Sequence, residues 1–192
     1  MPPAKPGERK LQILQTLAEM LQRPQGEKIT TASLAARIGV SEAALYRHFA
    51  SKAQMYEGLI EFIEQTLFGL VNKITSEENS GKKQLEAVLP LLLGFAQKNP
   101  GMTRVLIGEA LVNEDARLQT RINQLHDRLE STLKQSLRLA ASQQELPTGM
   151  DAAAQANLMM SFVLGRWHQF AKSGFTRLPM EYWATQGPAL IG

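Results

Sequence analysis

The 192-residue chain is 44% hydrophobic and 20% charged, which makes it globular and long enough to bury a sizeable core in one or two domains. It has no cysteine, so a disulfide framework and a thiolate metal site are excluded; with no apolar run of about 20 residues and no charged-then-apolar leader, a cytoplasmic protein without a membrane span is expected. The net charge of +3 is modest, but through Gly58 eight basic residues stand against five acidic ones, so the whole excess lies in this N-terminal part, where a phosphate-binding surface needs it.

Residues 1–6, MPPAKP, are proline-rich and expected to form a disordered arm, from which Lys5, with Arg9 and Lys10 beyond it, can extend a phosphate footprint. The stripe Ile13, Leu14, Leu17, Met20 and Leu21 predicts a helix to about Arg23, broken at Pro24-Gln25-Gly26, that serves as the floor under the next two helices.

Residues 31–49, TASLAARIGVSEAALYRHF, have the spacing of a DNA-reading helix-turn-helix. A short helix from Ala32 to Ile38 leads into a tight turn at Gly39-Val40, where glycine supplies a positive φ, and a second helix opens at Ser41. Ala35 is small because the second helix passes over it. Leu34, Ile38, Val40 and Leu45 pin the two helices, leaving Glu42, Ala43, Ala44, Tyr46, Arg47 and His48 on the outer surface of the second, with Ser41 as its cap. In such a motif the second helix enters the major groove, and Thr30 and Thr31 at the start of the first can offer hydroxyls and amides to phosphate. Lys52, after the cap Ser51, aims a charge at the same strand.

A long helix from Ser51 to about Thr75 carries Met55, Leu59, Phe62, Thr66 and Leu70 at steps of three and four, and links the head to a larger body. After the polar break 77–81, an apolar helix to Asn99 holds Val88, Leu89, Leu91, Leu92, Leu93 and Phe95 and is expected to be central, with Pro90 bending its axis. A shorter helix follows Asn99-Pro100-Gly101 to about Leu111. From Asn113 to about Gln143, Leu118, Ile122, Leu125, Leu129 and Leu133 predict a long amphipathic helix. After a loop from Glu145 to Gly149, Asp151 caps a helix striped by Ala152, Ala156, Met159, Val163, Trp167 and Phe170. Pro179 to about Ala189, with Tyr182 and Trp183, is the last. These two C-terminal helices suit dimerisation as a four-helix bundle, or they close the monomer's own core. The fold class is all-α, with residues 7–52 as a three-helix DNA-binding head and 53–192 as a helical body.

Nothing points to an enzyme. His48, His126 and His168 are far apart, no histidine pair has metal-ligand spacing, and no glycine-rich loop follows a strand. Glu109 reads as a capped surface acid and His168 as a helix-end histidine. No cofactor is expected.

The run LYRHF from Leu45, followed by Ser51-Lys52, resembles the signature of the TetR family of DNA-binding proteins. That resemblance implies phosphate anchoring by Tyr46, His48 and Lys52; Ala50 stands where many relatives carry a proline. The further runs LIEFIE from Leu59, LLLGF from Leu91, NPGMTRVL from Asn99 and RLQTRINQL from Arg117 resemble the nucleoid occlusion branch of the family. Proteins of that branch bind scattered chromosomal palindromes as homodimers on double-stranded DNA and capture the C-terminal tail of the tubulin-like division protein FtsZ. The resemblance puts the tail groove at Phe62, Leu91, Gly94, Lys98 and Asn99, with Leu70 in place of a basic residue. By spacing alone, Phe62 and Leu91 are equally core residues and Gly94 equally a tight helix contact. The alternative is a ligand-responsive repressor of the same fold, with Met102, Met159 and Phe162 lining a cavity or filling the core; no small-molecule ligand is expected on the first reading.

Overall fold

A computed structural model of the chain describes residues 7–23, 29–147 and 149–192. The expected arm at 1–6 and the break at Pro24-Gln25-Gly26 lie outside them. Among the described residues every regular element is helical: α1 (Glu8–Met20), α2 (Thr31–Ile38), α3 (Glu42–Tyr46), α4 (Lys52–Glu77), α5 (Gly81–Lys98), α6 (Pro100–Leu106), α7 (Ala116–Ser142), α8 (Ala152–Lys172) and α9 (Trp183–Ile191), with a 3-10 turn at Glu109–Leu111.

Side-chain caps at their N-termini fix where most of these helices begin. Thr30, Ser41, Ser51, Ser80, Asp115 and Asp151 each accept a backbone N–H from the first turn they precede. Ser51 and Asp151 are the caps expected for α4 and α8. Gln54 accepts the N–H of Ala50 at 2.8 Å while donating its own N–H to Ser51, so the residue that replaces the usual proline has its extra donor satisfied.

Helix α1 packs against α2, which packs on α3, and Ile13, Leu17, Leu34, Ala35 and Leu45 belong to one continuous buried cluster. Helix α5 is central, touching α4, α6, α7, α8 and α9, and it continues through Pro90. Helices α7 and α8 form a hairpin over it, and Trp167 of α8 is fully buried with its indole N–H donating to the Leu92 carbonyl at 3.1 Å. Head and body meet at Gly101 of α6, where a Cβ would lie 1.9 Å from the Ala18 carbonyl oxygen, so only glycine lets α6 lie on α1. Beside it, Arg104 donates to the Arg23 carbonyl at 2.7 Å.

Four expectations need correction. The stripe on α4 is not Met55, Leu59, Phe62, Thr66, Leu70: beyond Leu59 burial passes to Ile60, Ile63, Leu67, Phe68 and Val71, while Phe62 and Thr66 are half-buried and Leu70 is 43% exposed. Steps of three and four fit two adjacent helix faces, and packing on α5 and α7 selects one. Helix α6 stops at Leu106 instead of Leu111, because Gly108 turns left-handed (φ 77°), and α9 starts late, at Trp183, because Tyr182 does the same (φ 65°). Glu109 is not a surface acid: its half-covered carboxylate lies 3.4 Å from Arg104 and 3.5 Å from Lys172.

Candidate DNA interface and partner groove

The turn between α2 and α3 is built as its residues require. Gly39 adopts φ 78° and its N–H closes α2 on the Ala35 carbonyl, while Leu34 and Leu45 are buried beneath. Helix α3 thereby turns Glu42, Ala43, Tyr46 and Arg47 to solvent, with Ala44 and His48 half-buried. Ser41 accepts the Ala44 N–H at 3.3 Å, so its hydroxyl serves as a cap. Thr30 has the same duty: it accepts the Ser33 N–H at 3.0 Å in a reciprocal capping box.

Thr31 is placed differently from its neighbour. Its hydroxyl donates to the Glu42 carboxylate at 2.6 Å and stands 3.4 Å from the Tyr46 hydroxyl, which donates to it. Three residues from two helices thus form a chain, Tyr46 to Thr31 to Glu42, that links α3 to the start of α2.

Lys52, the first residue of α4, lies 26% exposed in an ion pair with Glu114 and within 5.6 Å of the Tyr56 ring centroid. Burial, and next the Glu114 carboxylate, push the Tyr56 phenol up, so it stays neutral. Sequence reasoning missed Glu114, since a partner 62 positions away leaves no local signal. A phosphate reached by Lys52 must compete with this carboxylate. Lys52→Ala is expected to weaken binding to all duplexes alike and to flatten the slope of log affinity against log salt by about one unit per head. Glu114→Gln is expected to raise DNA affinity a few-fold, in keeping with the modest worth of a partly exposed pair. Salt titrations by fluorescence anisotropy check both, and a fall in affinity for Glu114→Gln would make the pair an aid to docking.

On the body, Phe62 of α4 and Leu91 of α5 are half-buried, and Lys98 is exposed at the end of α5. A Cβ added at Gly94 would meet nothing within 4 Å, and the same holds for Gly69 on α4. Gly94 is therefore not a tight contact within this chain, while Leu91 packs against the core from a partly covered position. Asn99 donates its side-chain amide to the Phe95 carbonyl at 2.8 Å and closes α5. By contrast, Met159 is fully buried, while Met102 and Phe162 pack against the core from partly covered positions. No group of three or more His, Asp or Glu able to hold a metal occurs among the described residues, and no helix there is long and apolar enough to cross a membrane.

Comparison with known proteins bears on the family and the fold. Residues 13–59 match the family described as bacterial regulatory proteins, tetR family, and residues 81–191 match the tetracyclin repressor-like C-terminal domain. The chain is 51% identical over 189 residues to the nucleoid occlusion factor SlmA of Alteromonas mediterranea, spanning 98% of this chain and 97% of that protein. It is 50% identical to the nucleoid occlusion factor SlmA of Idiomarina loihiensis, over 93% and 91% of the two chains. Among solved structures, a TetR transcription regulator from Haloarcula marismortui superposes with a TM-score of 0.80 at 15% identity, covering 96% of each chain. The fatty acid degradation regulator FadR from Bacillus halodurans does so with 0.79 at 14%, covering 98% of this chain and 97% of that one. At such identities these two share the fold alone.

Proposed function

This chain belongs to the TetR family of bacterial DNA-binding regulators, and from that premise we propose that it is a nucleoid occlusion factor, a DNA-bound homodimer that captures the C-terminal tail of FtsZ and keeps the division ring from assembling over the nucleoid. The observation that carries the reading is identity of about half over nearly the whole chain, body included, to proteins named as nucleoid occlusion factors. Bodies in this family vary with what they bind, so likeness there bears on function more than likeness in the head.

Three features support the parts. The residues assigned to DNA in this reading, Thr30, Thr31, Ser41, Glu42, Ala43, Ala44, Tyr46, Arg47, His48 and Lys52, belong to α2, α3, the start of α4 and the residues that flank them, within the basic part of the chain. For the tail, Phe62 and Leu91 offer an apolar floor, Gly94 leaves open space for a peptide backbone, and Lys98 suits an acidic or polar chain. For the dimer, α8 exposes Ala154, Leu158, Ser161, Gly165 and His168 on one stripe; Leu158 is 53% exposed, and Gly165 meets nothing within 4 Å. Residues 7–52 act as the reading head and 53–192 as the dimerisation and partner-binding body, in a protein held to the nucleoid by its DNA sites.

A map of every chromosomal site occupied in growing cells tests this reading. Many sites away from promoters, sparse near the replication terminus, are expected. Occupancy of one or two promoters would instead make the protein a ligand-responsive repressor.

A further inference from the structure

We propose that Glu42 is a specificity-determining residue that couples phosphate binding to the reading of one cytosine in each half-site. The inference rests on the DNA-binding reading and deepens it.

In the free protein the hydrogen-bond chain from Tyr46 through Thr31 ends on the Glu42 carboxylate, at 3.4 Å and 2.6 Å. Both hydroxyl protons are therefore directed inward. A phosphate oxygen only accepts hydrogen bonds, so for the Thr31 hydroxyl to anchor it, that proton must turn outward and Glu42 must give it up, whereas Tyr46 can turn its own proton to phosphate without disturbing Glu42. The carboxylate then needs another donor. It occupies the first position of α3 and is exposed, where the N-terminal residues of a reading helix meet base edges. In the major groove the base-edge donor that suits a carboxylate is the N4 amino group of cytosine.

On a site with cytosine at that position, one exchange satisfies all three groups: the hydroxyls turn to phosphate and the carboxylate takes the amino group. On other sequences the carboxylate is left close to phosphates without a donor, or the Thr31 hydroxyl stays turned inward. Glu42 thus penalises wrong sites while permitting the right one. Ala43 and Ala44, its neighbours, have no polar side chain to do this.

The test is selection from a random duplex pool by the full-length protein and by its Glu42→Ala and Glu42→Gln variants, followed by anisotropy titrations on the selected site and on a random duplex. In the wild-type consensus one symmetry-related C·G pair is expected, with its preference lost in Glu42→Ala and moved towards adenine in Glu42→Gln, since glutamine pairs with adenine N6 and N7. The ratio of specific to random affinity is expected to fall about tenfold or more for Glu42→Ala, chiefly through tighter binding to the random duplex. Identical consensus sequences for wild type and Glu42→Ala, with equal loss on both duplexes, would reduce Glu42 to a strut between α2 and α3 and overturn the proposal. Failure of the wild-type protein to select any consensus would overturn the DNA-binding reading beneath it, a different and separable result.

Discussion

Gly94→Glu is expected to leave DNA affinity unchanged and to weaken binding of a peptide carrying the FtsZ C-terminal tail at least about 100-fold, or about 2.8 kcal/mol. The position allows this separation because a Cβ there meets nothing of the chain's own. Glutamate also favours a helix over glycine by several tenths of a kcal/mol, so α5 is not weakened. What changes is the open space at Gly94, one turn along α5 from Leu91: on the proposed reading a charged side chain there occupies the place of the peptide backbone and repels an acidic tail. Helices α2 and α3 make no substantial contact with α5. An unchanged peptide titration would show that the tail binds elsewhere, and a parallel loss of DNA affinity would mean that the substitution acts through the fold.

Trp167→Ala is expected to lower the thermal midpoint by about 10 °C, from about 3–5 kcal/mol of lost burial at roughly 2–4 °C per kcal/mol for a chain of this size. Trp167 is fully enclosed, its ring centroid is 6.1 Å from that of His126 on α7, and its N–H holds the Leu92 carbonyl of α5. It therefore ties α7, α8 and α5 together one residue from Leu91. Trp167→Phe keeps most of the volume but loses the hydrogen bond, at about 1 kcal/mol beyond the difference in size. Melting curves at fixed protomer concentration measure both, since a dimer's midpoint depends on concentration. A shift below about 2 °C for the alanine variant would show that α8 is not fastened to α5 through this residue.

Much of the fold is legible locally. The helix-turn-helix can be read because its glycine, its small residue and its apolar pins act within 15 residues, and Gly39 adopts the φ expected of it. The all-helical class and the stripe of α7 are legible for the same reason: Leu118, Ile122, Leu125, Leu129 and Leu133 repeat along a 27-residue helix at steps of three and four, and every one is buried. Short or ambiguous patterns mislead. Spacing misplaces the stripe of α4 past Leu59 because apolar residues occupy two neighbouring faces. It misses the ends of α6 and α9 because Tyr182 carries a side chain in a left-handed backbone, and Gly108 lies inside what reads as a continuous apolar run.

The sequence by itself determined the helical class, the helix-turn-helix and the order of the elements, since each follows from spacing within one helix or turn; the family came from the likeness of its LYRHF run and of the Ser51-Lys52 pair. Only the tertiary structure decided which of these residues are available. It put Lys52 against Glu114, linked Thr31 to Glu42 and Tyr46, set Glu109 among cations and left Gly94 facing open space. The physical reason is common to all four. Availability depends on what other helices bring within about 4 Å of a side chain, and partners 62 residues away in sequence, as for Lys52 and Glu114, are set by how the helices pack.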